Sequence, residues 1–487
     1  MQNNYDVIVV GSGAAGLYTA LNLDPKLRVL VLSKRDLLLS NSALAQGGIA
    51  AVVNTTNDNV DMHLNDSLIA GGFKNNTESL KVLVNEGPQD VLNLIDLGVD
   101  FDKKEDGSYD LTLEGGHSRH RIFHHKDNTG REIVEKLLAV AMTFKNITLM
   151  EQAIVCDLKQ APGGFSLDVL KDGEHLYLNC NYCVLATGGI GRVYEFTTNS
   201  AIATGDGITL AYNLGAKIKN LHLVQFHPTA FANKDRECFL ISESVRGEGA
   251  YLLNGNHQRF MSRYDDRLEL APRDVVSHCI IEESHKLRDN HFYLDITHKD
   301  PEFVKARFPM IYSKLLVEGI DMTKDLIPVY PCQHYLMGGI DVGLNGESTI
   351  HNLYAAGECS HTGVHGNNRL ASNSLLEAIV FAHQIAEDIN NKVDKNGVHE
   401  VTPYEFSSPI GVPTGTEPIP HGIRTEIRAI MQKSHFVLPD TVAAIEGFER
   451  IKELKNLIEK GGWLVNVDYI EARSLVTVAY LILKEVI

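Results

Sequence analysis

Three glycines near the start of the chain have the spacing that binds a dinucleotide. Gly11, Gly13 and Gly16 follow directly on the apolar run at residues 6–10. In such a context the first glycine permits a tight turn, the second lets a pyrophosphate approach the backbone, and the third lets a helix pack closely on a strand. The phosphates then meet unpaired N–H groups at the positive end of that helix. The predicted phosphate-binding residues are Gly11, Ser12, Gly13, Ala14, Ala15 and Gly16.

Two further apolar runs also end in glycine, at Gly188 and Gly357. Together with the polar, glycine-ended segment 41–48, they favour a long cofactor such as FAD, although that segment alone is equally typical of a surface loop. The acidic residue expected about 20 residues after the glycine motif is replaced by Ser33 and Lys34. A hydroxyl still binds a ribose, and Lys34 either meets a phosphate or is a solvated strand end.

The elements that must position these residues follow a strand–helix–strand order. Residues 6–10 and 27–32 are continuous apolar runs, typical of buried parallel strands, and 17–23 between them is predicted to be helical. Runs of the same kind occur at 182–187 and 352–356. Nucleotide-binding features therefore stand before residue 222 and again after about residue 335. We predict that the residues between them form an insertion that leaves the first domain and returns to it.

Composition excludes several classes of protein. The 487 residues include 45 Lys and Arg against 62 Asp and Glu, for a formal net charge of −17, which argues against general binding to nucleic acid or anionic membrane. Seven scattered cysteines suit a reducing cytosol. The N-terminus has no signal-peptide pattern, and no apolar run reaches the roughly 18–20 residues that span a bilayer. We expect a cytoplasmic protein.

Seven motifs, in order along the chain, resemble those of the flavoprotein family of L-aspartate oxidase, succinate dehydrogenase and fumarate reductase. The resemblance extends from residue 5 to about residue 480. The motifs are Ala45-Gln46-Gly47-Gly48, Glu114-Gly115-Gly116-His117-Ser118, Gln225-Phe226-His227-Pro228-Thr229, Arg246-Gly247-Glu248-Gly249, Leu270-Ala271-Pro272-Arg273-Asp274, His334-Tyr335-x-Met337-Gly338-Gly339 and the segment 369–378.

The resemblance implies a fold that matches the interrupted pattern. It predicts an α/β Rossmann-like FAD-binding domain, interrupted by an α+β capping domain and followed by a C-terminal helical domain. The tail after Pro420 has helical spacing, which agrees with this expectation. The predicted division is 1–221 and 336–405 for the FAD-binding domain, 222–335 for the capping domain and 406–487 for the helical domain.

The resemblance also implies further contacts to FAD. Complex-forming succinate dehydrogenases and fumarate reductases usually tether the flavin to a histidine at the position of Asn41, and asparagine cannot make that bond, so non-covalent FAD is expected. Ser372, Asn373 or Ser374 is predicted to cap a helix whose N-terminus points at the flavin, or else the helix is simply capped and amphipathic. The further predicted cofactor residues are Lys34, Asn41, Ser42, Ala43, Leu44, Ala45, Gln46, Gly47, Gly48, Ile154, Thr187, Gly188, Asp206, Glu358, Ser374 and Leu375.

Five residues are implied for the substrate site. His227, His334 and Arg369 would bind carboxylates, and Arg273 lies where the family places its proton-transferring arginine. Glu114 would face a substrate ammonium, because acids there are typical of the aspartate-oxidising members. Taken singly, each type has an ordinary explanation: a structural histidine, a surface ion pair, a solvated loop acid.

Proton transfer through Arg273 calls for acids nearby. Glu243 and Glu248 are the candidates that the sequence offers, on the condition that the fold brings them close. They are predicted to relay protons to Arg273.

Two departures from the dicarboxylate enzymes favour L-aspartate as the substrate. One is Glu114, and the other is Ala371-Ser372-Asn373-Ser374 where those enzymes tend to read Gly-Ala-Asn-Ser. The resemblance then implies FAD-dependent oxidation of L-aspartate to iminoaspartate, with oxygen or fumarate as electron acceptor. The product would pass to quinolinate synthase in de novo NAD biosynthesis. The alternatives are a soluble fumarate reductase or succinate dehydrogenase-type flavoprotein and, less favoured by so complete a set of cations, a non-catalytic FAD-binding module.

No metal site is predicted. A dense histidine cluster has no zinc-type cysteines beside it. Cys180 and Cys183 are a single pair whose side chains should face opposite sides of a strand. The histidines of the cluster are His117, His120, His124 and His125.

Overall fold

The computed structural model describes residues 3–232, 237–406 and 414–487. Within these residues, no helix combines the length and the apolar composition that a membrane crossing requires. A seven-stranded sheet carries the nucleotide-binding features. Its strands are β1 (Asn4–Val10), β2 (Val29–Leu32), β5 (Ile147–Met150), β6 (Ala153–Ala161), β7 (Gly164–Lys171), β8 (Glu174–Leu185) and β15 (Leu353–Ala355).

The strand order of this sheet is β5-β2-β1-β8-β7-β6, and β15 pairs with β8 off that path. β5, β2, β1, β8 and β15 are paired in parallel, whereas β6, β7 and β8 form an antiparallel meander. β1 and β2 are buried almost throughout, as expected of parallel strands covered on both faces. Because β15 comes after residue 335, the chain returns to its first sheet late in the sequence.

Helices cover the parallel part of the sheet. The first helix begins at Ala14, three residues before the predicted start, because Gly13 itself serves as its N-cap. Two short strands pair beside these helices. The helices are α1 (Ala14–Asn22), α2 (Val60–Ala70), α3 (Thr77–Asp96), α4 (Thr129–Ala141), α5 (Asp206–Asn213) and α10 (Asn373–Asn396), and the two strands are β3 (Ile49–Ala50) and β4 (Ile122–Phe123).

A second sheet lies in the middle of the sequence and has a hydrophobic core of its own. Its strands, in spatial order, are β10 (Val224–Phe231), β13 (Ile327–Leu336), β12 (Tyr293–Asp295) and β11 (Tyr251–Leu253), all antiparallel. The helices between these strands in sequence are α6 (Glu243–Gly247), α7 (Arg273–Leu287), α8 (Pro301–Arg307) and α9 (Pro309–Val317). A small third sheet comprises β9 (Ile218–Lys219), β14 (Gly339–Asp341) and β16 (Ser360–His361).

The end of the chain is helical, as the spacing predicts. A short strand, β17 (Thr414–Glu417), precedes α11 (Ile423–Ser434), α12 (Thr441–Glu459) and α13 (Val467–Val486). The middle of α13 is buried against the first sheet, where the Arg473 guanidinium donates to the Cys156 carbonyl. The residue numbers at which we divide the chain stay a prediction, and residues 407–413 of the last predicted domain lie outside the described residues.

The prediction that Cys180 and Cys183 face opposite sides was wrong. Both side chains pack in the same hydrophobic core, and the two thiols are close enough to hydrogen-bond. Their neighbours on β1, Tyr5 and Ile8, lie in that core as well, so strict alternation does not hold along this stretch. Burial raises the pKa of the Cys180 thiol well above its ordinary value. Both cysteines are free.

His435, at the end of α11, contacts Tyr194 in the segment that follows β8 and gives folding a pH dependence. The Tyr194 hydroxyl lies 2.7 Å from His435 Nδ1, and burial lowers the pKa of this histidine to about 4. An unfolded histidine takes up its proton near pH 6.5, so protonation favours unfolding as the pH falls from about 6.5 to 4. The stabilisation from neutral His435 is complete above this range and lost below it.

We therefore expect His435→Gln to flatten the pH dependence of Tm between pH 4 and about 6.5. Thermal unfolding of both proteins across this range is the measurement. Parallel Tm curves for the wild type and the variant would contradict the expectation.

Candidate active site

A groove runs along the carboxyl ends of β1, β2, β8 and β15. In open α/β sheets this edge is where ligands bind. Sixteen of the predicted cofactor residues line the groove: Gly11, Ser12, Gly13, Ala15, Lys34, Asn41, Ser42, Leu44, Ala45, Ile154, Thr187, Gly188, Asp206, Glu358, Ser374 and Leu375. Six do not: Ala14, Gly16, Ala43, Gln46, Gly47 and Gly48.

The glycines of the first motif are required by close backbone approaches. Gly11 has φ +125°, and a Cβ there would lie 2.0 Å from the Ala186 carbonyl oxygen. A Cβ on Gly16 would lie 1.9 Å from the Gly11 carbonyl oxygen, so Gly16 serves packing and not the groove surface. Helix α1 has no side-chain cap, which leaves its first N–H groups available to a phosphate.

Lys34 is not a solvated strand end. Its ammonium pairs with Asp206 at 2.8 Å and with Glu471 of α13 at 3.2 Å, and donates to Thr204 Oγ1 at 2.7 Å. The side chain is 12% exposed. Lys34 therefore connects the C-terminal helix α13 to the lining of the groove.

Asn41 and Glu358 line the same groove as His334 and Arg369. Asn41 Oδ1 accepts hydrogen bonds from the N–H and the hydroxyl of Ser200, at 3.0 and 3.1 Å. Burial raises the pKa of Glu358 to about 7. A carboxyl group with such a pKa is a hydrogen-bond donor for part of the time at neutral pH.

The predicted side-chain cap of α10 was wrong. Ser372 is the N-cap residue, with a left-handed φ of +59°, but its hydroxyl makes no capping bond. The hydroxyl instead donates to Glu114 Oε2 at 2.5 Å and accepts from the Gly48 N–H at 3.2 Å. Since Ser374 and Leu375 line the groove, the uncapped first turn of α10 lies at the groove.

A second cavity lies next to the groove, and Arg369 lines both. Its wall includes Glu114, Glu243 and Arg273, all nearly buried. Its lining therefore carries three guanidinium groups, from Arg267, Arg273 and Arg369, and the two carboxylates of Glu114 and Glu243. This is the composition expected for a site that binds a small zwitterionic acid.

Arg273 is held by partners on two sides. Its Nε donates to Glu243 Oε2, and its Nη1 donates to Gln225 Oε1 at 3.1 Å. Gln225 in turn donates to the Arg369 carbonyl at 2.9 Å, which connects the Arg273 guanidinium to the backbone of Arg369. Arg246 lies 3.6 Å from Glu243 on the other side. Burial opposes ionisation of Glu243, but Arg273 and Arg246 outweigh it and lower its pKa.

Glu248 does not join this group. Its carboxylate pairs with Arg307 at 3.3 Å, at the end of α6. The relay predicted through Glu248 was therefore wrong, whereas Glu243 contacts Arg273 as that prediction requires. Glu243 lies in the first turn of α6, whereas Glu248 is the C-cap residue of the same helix, so the two acids stand at its opposite ends.

His227 and His334 lie with ring centroids 5.0 Å apart. Burial and Arg273 hold the pKa of both histidines well below its ordinary value. The Thr229 N–H donates to His227 Nδ1 at 3.2 Å, so the ring proton is on Nε2. Among the described residues, that Nε2 has no hydrogen-bond partner. A neutral donor is thus left available inside the protein.

Glu114 is buried between two parts of the chain. Its Oε1 accepts from the Ser244 hydroxyl of α6 at 3.0 Å, and its Oε2 accepts from Ser372 before α10. Only 3% of the residue is exposed, so the alternative of a solvated loop acid was wrong. Ser244 was not singled out from the sequence, because no pattern marks a serine that bonds an acid 130 residues away.

The histidine cluster has structural partners. His117 Nε2 lies 2.9 Å from the Ala371 carbonyl, and its Nδ1 lies 3.1 Å from Arg121. His124 pairs with Asp102 at 3.1 Å. Arg121 is fully buried and forms ion pairs with Asp58 and Asp66. These bonds, with those of His117, hold the loop that carries Glu114 in place.

Comparison with known proteins identifies the family. The FAD binding domain family matches residues 6–375. An L-aspartate oxidase of Clostridium perfringens is 47% identical over 81% of this chain and 88% of its own length. An L-aspartate oxidase of Acinetobacter baylyi is 38% identical over 99% of this chain and 91% of its own length. The chain belongs to the L-aspartate oxidase family of FAD-binding flavoproteins.

Two solved structures share the fold of this chain. A variant of E. coli quinol fumarate reductase superposes with a TM-score of 0.90 at 27% identity, covering 99% of this chain and 88% of that one. The Mycobacterium smegmatis Sdh1 complex superposes with a TM-score of 0.83 at 28% identity, covering 99% of this chain and 86% of that one. The predicted fold class, a Rossmann-like FAD-binding fold with a capping domain and C-terminal helices, is confirmed.

Proposed function

We propose that the protein oxidises L-aspartate to iminoaspartate. The observation that carries this proposal is the second cavity, where Glu114, Arg273 and Arg369 line one space beside the cofactor groove. Anaerobic mixing of the FAD-loaded protein with L-aspartate or succinate tests it. L-aspartate should bleach the flavin absorbance faster than succinate, and failure of both to bleach it would favour a non-catalytic FAD-binding module.

The groove fits FAD. The uncapped end of α1 offers N–H groups to a diphosphate, and a Cβ on Gly13 would lie only 3.2 Å from Ser42 Oγ, so a glycine keeps this approach open. Lys34 and Asp206 would hold one end of the cofactor, and Asn41 with Glu358 the other. When bound, FAD supplies the two-electron acceptor for the oxidation.

The three cationic or N–H donors would bind the substrate carboxylates. Arg369 grips a carboxylate bidentately, because its planar fork matches the two oxygens. His227 and His334 donate as neutral imidazoles, since burial and the surrounding arginines keep their pKa low. Neutral donors suit this site, because they add hydrogen bonds without more positive charge.

Glu114 would receive the substrate ammonium. Its carboxylate accepts hydrogen bonds from Ser244 and Ser372, and such donors hold it in place. During oxidation Cα loses a hydride and the nitrogen loses a proton. Glu114 stabilises the charged nitrogen on binding, which selects an amino acid over a simple dicarboxylate.

Arg273 would move the proton. In the reverse sense, with fumarate as oxidant, it protonates the carbon that does not receive the hydride. Glu243, bonded to Arg273, returns the proton to it, and Arg246 stands next to Glu243. Fumarate or oxygen would take the electrons, and quinolinate synthase would consume the iminoaspartate in de novo NAD biosynthesis.

A soluble fumarate reductase is the second candidate, favoured by the TM-score of 0.90 to quinol fumarate reductase. Both reactions need the same carboxylate donors and the same arginine. Glu114 argues for the amino acid, because fumarate offers no positive group to a buried carboxylate. The comparison of L-aspartate with succinate separates the two.

FAD should be bound without a covalent link, because Asn41 stands where a tethering histidine would be and instead accepts from Ser200. Acid precipitation of the yellow protein should leave all flavin in the supernatant. Flavin absorbance that stays with the precipitate would contradict this expectation.

A further inference from the structure

A buried carboxylate lies behind the substrate site and touches neither cavity. Glu377, in the second turn of α10, is 2% exposed and accepts three hydrogen bonds from side chains. The Tyr335 hydroxyl donates to its Oε2 at 2.8 Å, and His365 Nε2 lies 2.8 Å from the same oxygen. The Thr362 hydroxyl donates to Oε1 at 2.5 Å. Three segments of the chain thus meet at one acid.

Tyr335 connects this acid to the site. The Arg369 guanidinium carbon lies 4.4 Å from the centre of the Tyr335 ring, the distance of a cation–π contact. The tyrosine therefore binds Arg369 with its face and Glu377 with its hydroxyl. Burial raises the pKa of Tyr335 well above its ordinary value, so the phenol keeps the proton that it donates.

Arg369 forms no ion pair with another described residue. In the described part of the chain, no carboxylate oxygen lies within 4 Å of its guanidinium nitrogens, and Nε has no hydrogen-bond partner. Its Nη1 donates to Ser374 Oγ at 3.1 Å. The guanidinium is therefore oriented by the ring below it and by one serine, and the rest of its donors stay available.

Glu377 is itself ionised. Burial opposes its ionisation, but His365, Thr362 and Tyr335 outweigh it and lower its pKa. An anion with three donors holds its partners more firmly than a neutral acceptor does.

We propose that Glu377 is a positioning residue for the substrate arginine. It fixes the ring of Tyr335, and the ring holds Arg369 with its fork open to a carboxylate. The proposal rests on the proposed function only in that Arg369 binds the substrate carboxylate. It assigns Glu377 no contact with substrate.

The test measures binding of succinate to the oxidised, FAD-loaded protein through the change in flavin absorbance. Glu377→Gln keeps the size of the side chain and removes its charge. Tyr335→Phe keeps the ring and removes the hydroxyl that donates to Glu377. We expect the Kd of succinate to rise about tenfold in each variant, the effect of one weakened hydrogen bond to a charged group. The KM for L-aspartate should rise, while kcat for its oxidation should change less.

The double variant shows the route of the effect. If Glu377 acts through Tyr335, then adding Glu377→Gln to Tyr335→Phe should raise the succinate Kd no further. Two fully additive effects would overturn the proposal, because they would mean that Glu377 acts on the site by another path.

Glu283→Gln is the matched control. Glu283 in α7 is 1% exposed and also accepts from three side chains, including a tyrosine hydroxyl. Its neutralisation should lower Tm and leave the succinate Kd unchanged. Equal rises of the Kd in the two Glu→Gln variants would overturn the proposal, since they would reflect loss of stability alone.

Arg369→Lys distinguishes a failure of the positioning role of Glu377 from a failure of the proposed substrate-binding role of Arg369. If it weakens succinate binding and Glu377→Gln does not, the positioning role is wrong and the proposed function stands. If Arg369→Lys leaves the Kd unchanged, the proposed role of Arg369 fails instead. Should Glu377→Gln not fold with FAD, an unchanged Kd in Tyr335→Phe alone overturns the proposal.

Discussion

Replacing Arg273 by lysine should lower kcat for fumarate reduction by about 10²–10⁴-fold, the usual contribution of a general acid. Lysine keeps the charge, but it has one nitrogen and cannot bond Glu243 and Gln225 as the guanidinium does. The Kd of succinate should change far less than kcat, because Arg369 and the two histidines remain. Stopped-flow oxidation of the reduced protein by fumarate measures the effect.

Arg263→Lys serves as the control for this substitution. Arg263 also pairs with a buried glutamate, Glu283, at 2.6 Å, but it is about half exposed and lies outside both cavities. Its replacement should leave kcat unchanged. Turnover near the wild-type rate in Arg273→Lys would show that Arg273 only holds the substrate.

Glu114→Gln should lower kcat/KM for L-aspartate by at least about tenfold, because it removes a charge-assisted hydrogen bond of about 1.5–3 kcal/mol to the ammonium. Reduction of fumarate in the same variant should be unchanged or faster, since fumarate has no ammonium. Glutamine retains an oxygen for one serine and an amide for the other. Steady-state rates with both substrates give the comparison.

Equal losses with L-aspartate and fumarate would mean that Glu114 supports the fold or the cofactor and not substrate choice. No loss with either would remove the main physical argument for L-aspartate. Glu283→Gln again measures the effect of neutralising a buried acid elsewhere, and should leave both rates unchanged.

Much of the fold was predictable, because its signals are local. The apolar runs and the glycine spacing predicted β1, β2, β8 and α1 in the correct order. Their ends differed by a few residues, as with α1, where Gly13 caps the helix without a side chain. The contact between Cys180 and Cys183 was not predictable, since it departs from the strict alternation of side chains that a strand pattern assumes.

The site was predictable only in part. The motifs named Arg273, Arg369 and Glu114, and the structure brings these three to one cavity. Whether a nearby acid joins them depends on the direction in which a helix presents it, which is why Glu243 does and Glu248 does not. Sequence spacing alone does not contain that direction.

The partners of Glu114 bear on how such a protein could be re-engineered. Its two serines lie 130 and 258 residues further along the chain. A loop carrying the acid, transplanted alone into a dicarboxylate enzyme that reads Gly-Ala-Asn-Ser, would bring the carboxylate without the hydroxyl of Ser372. Chimeras joined between these positions would separate the acid from its donors. If Glu114 selects the amino acid as proposed, that specificity depends on a set of positions far apart in the sequence and not on a single exchangeable loop.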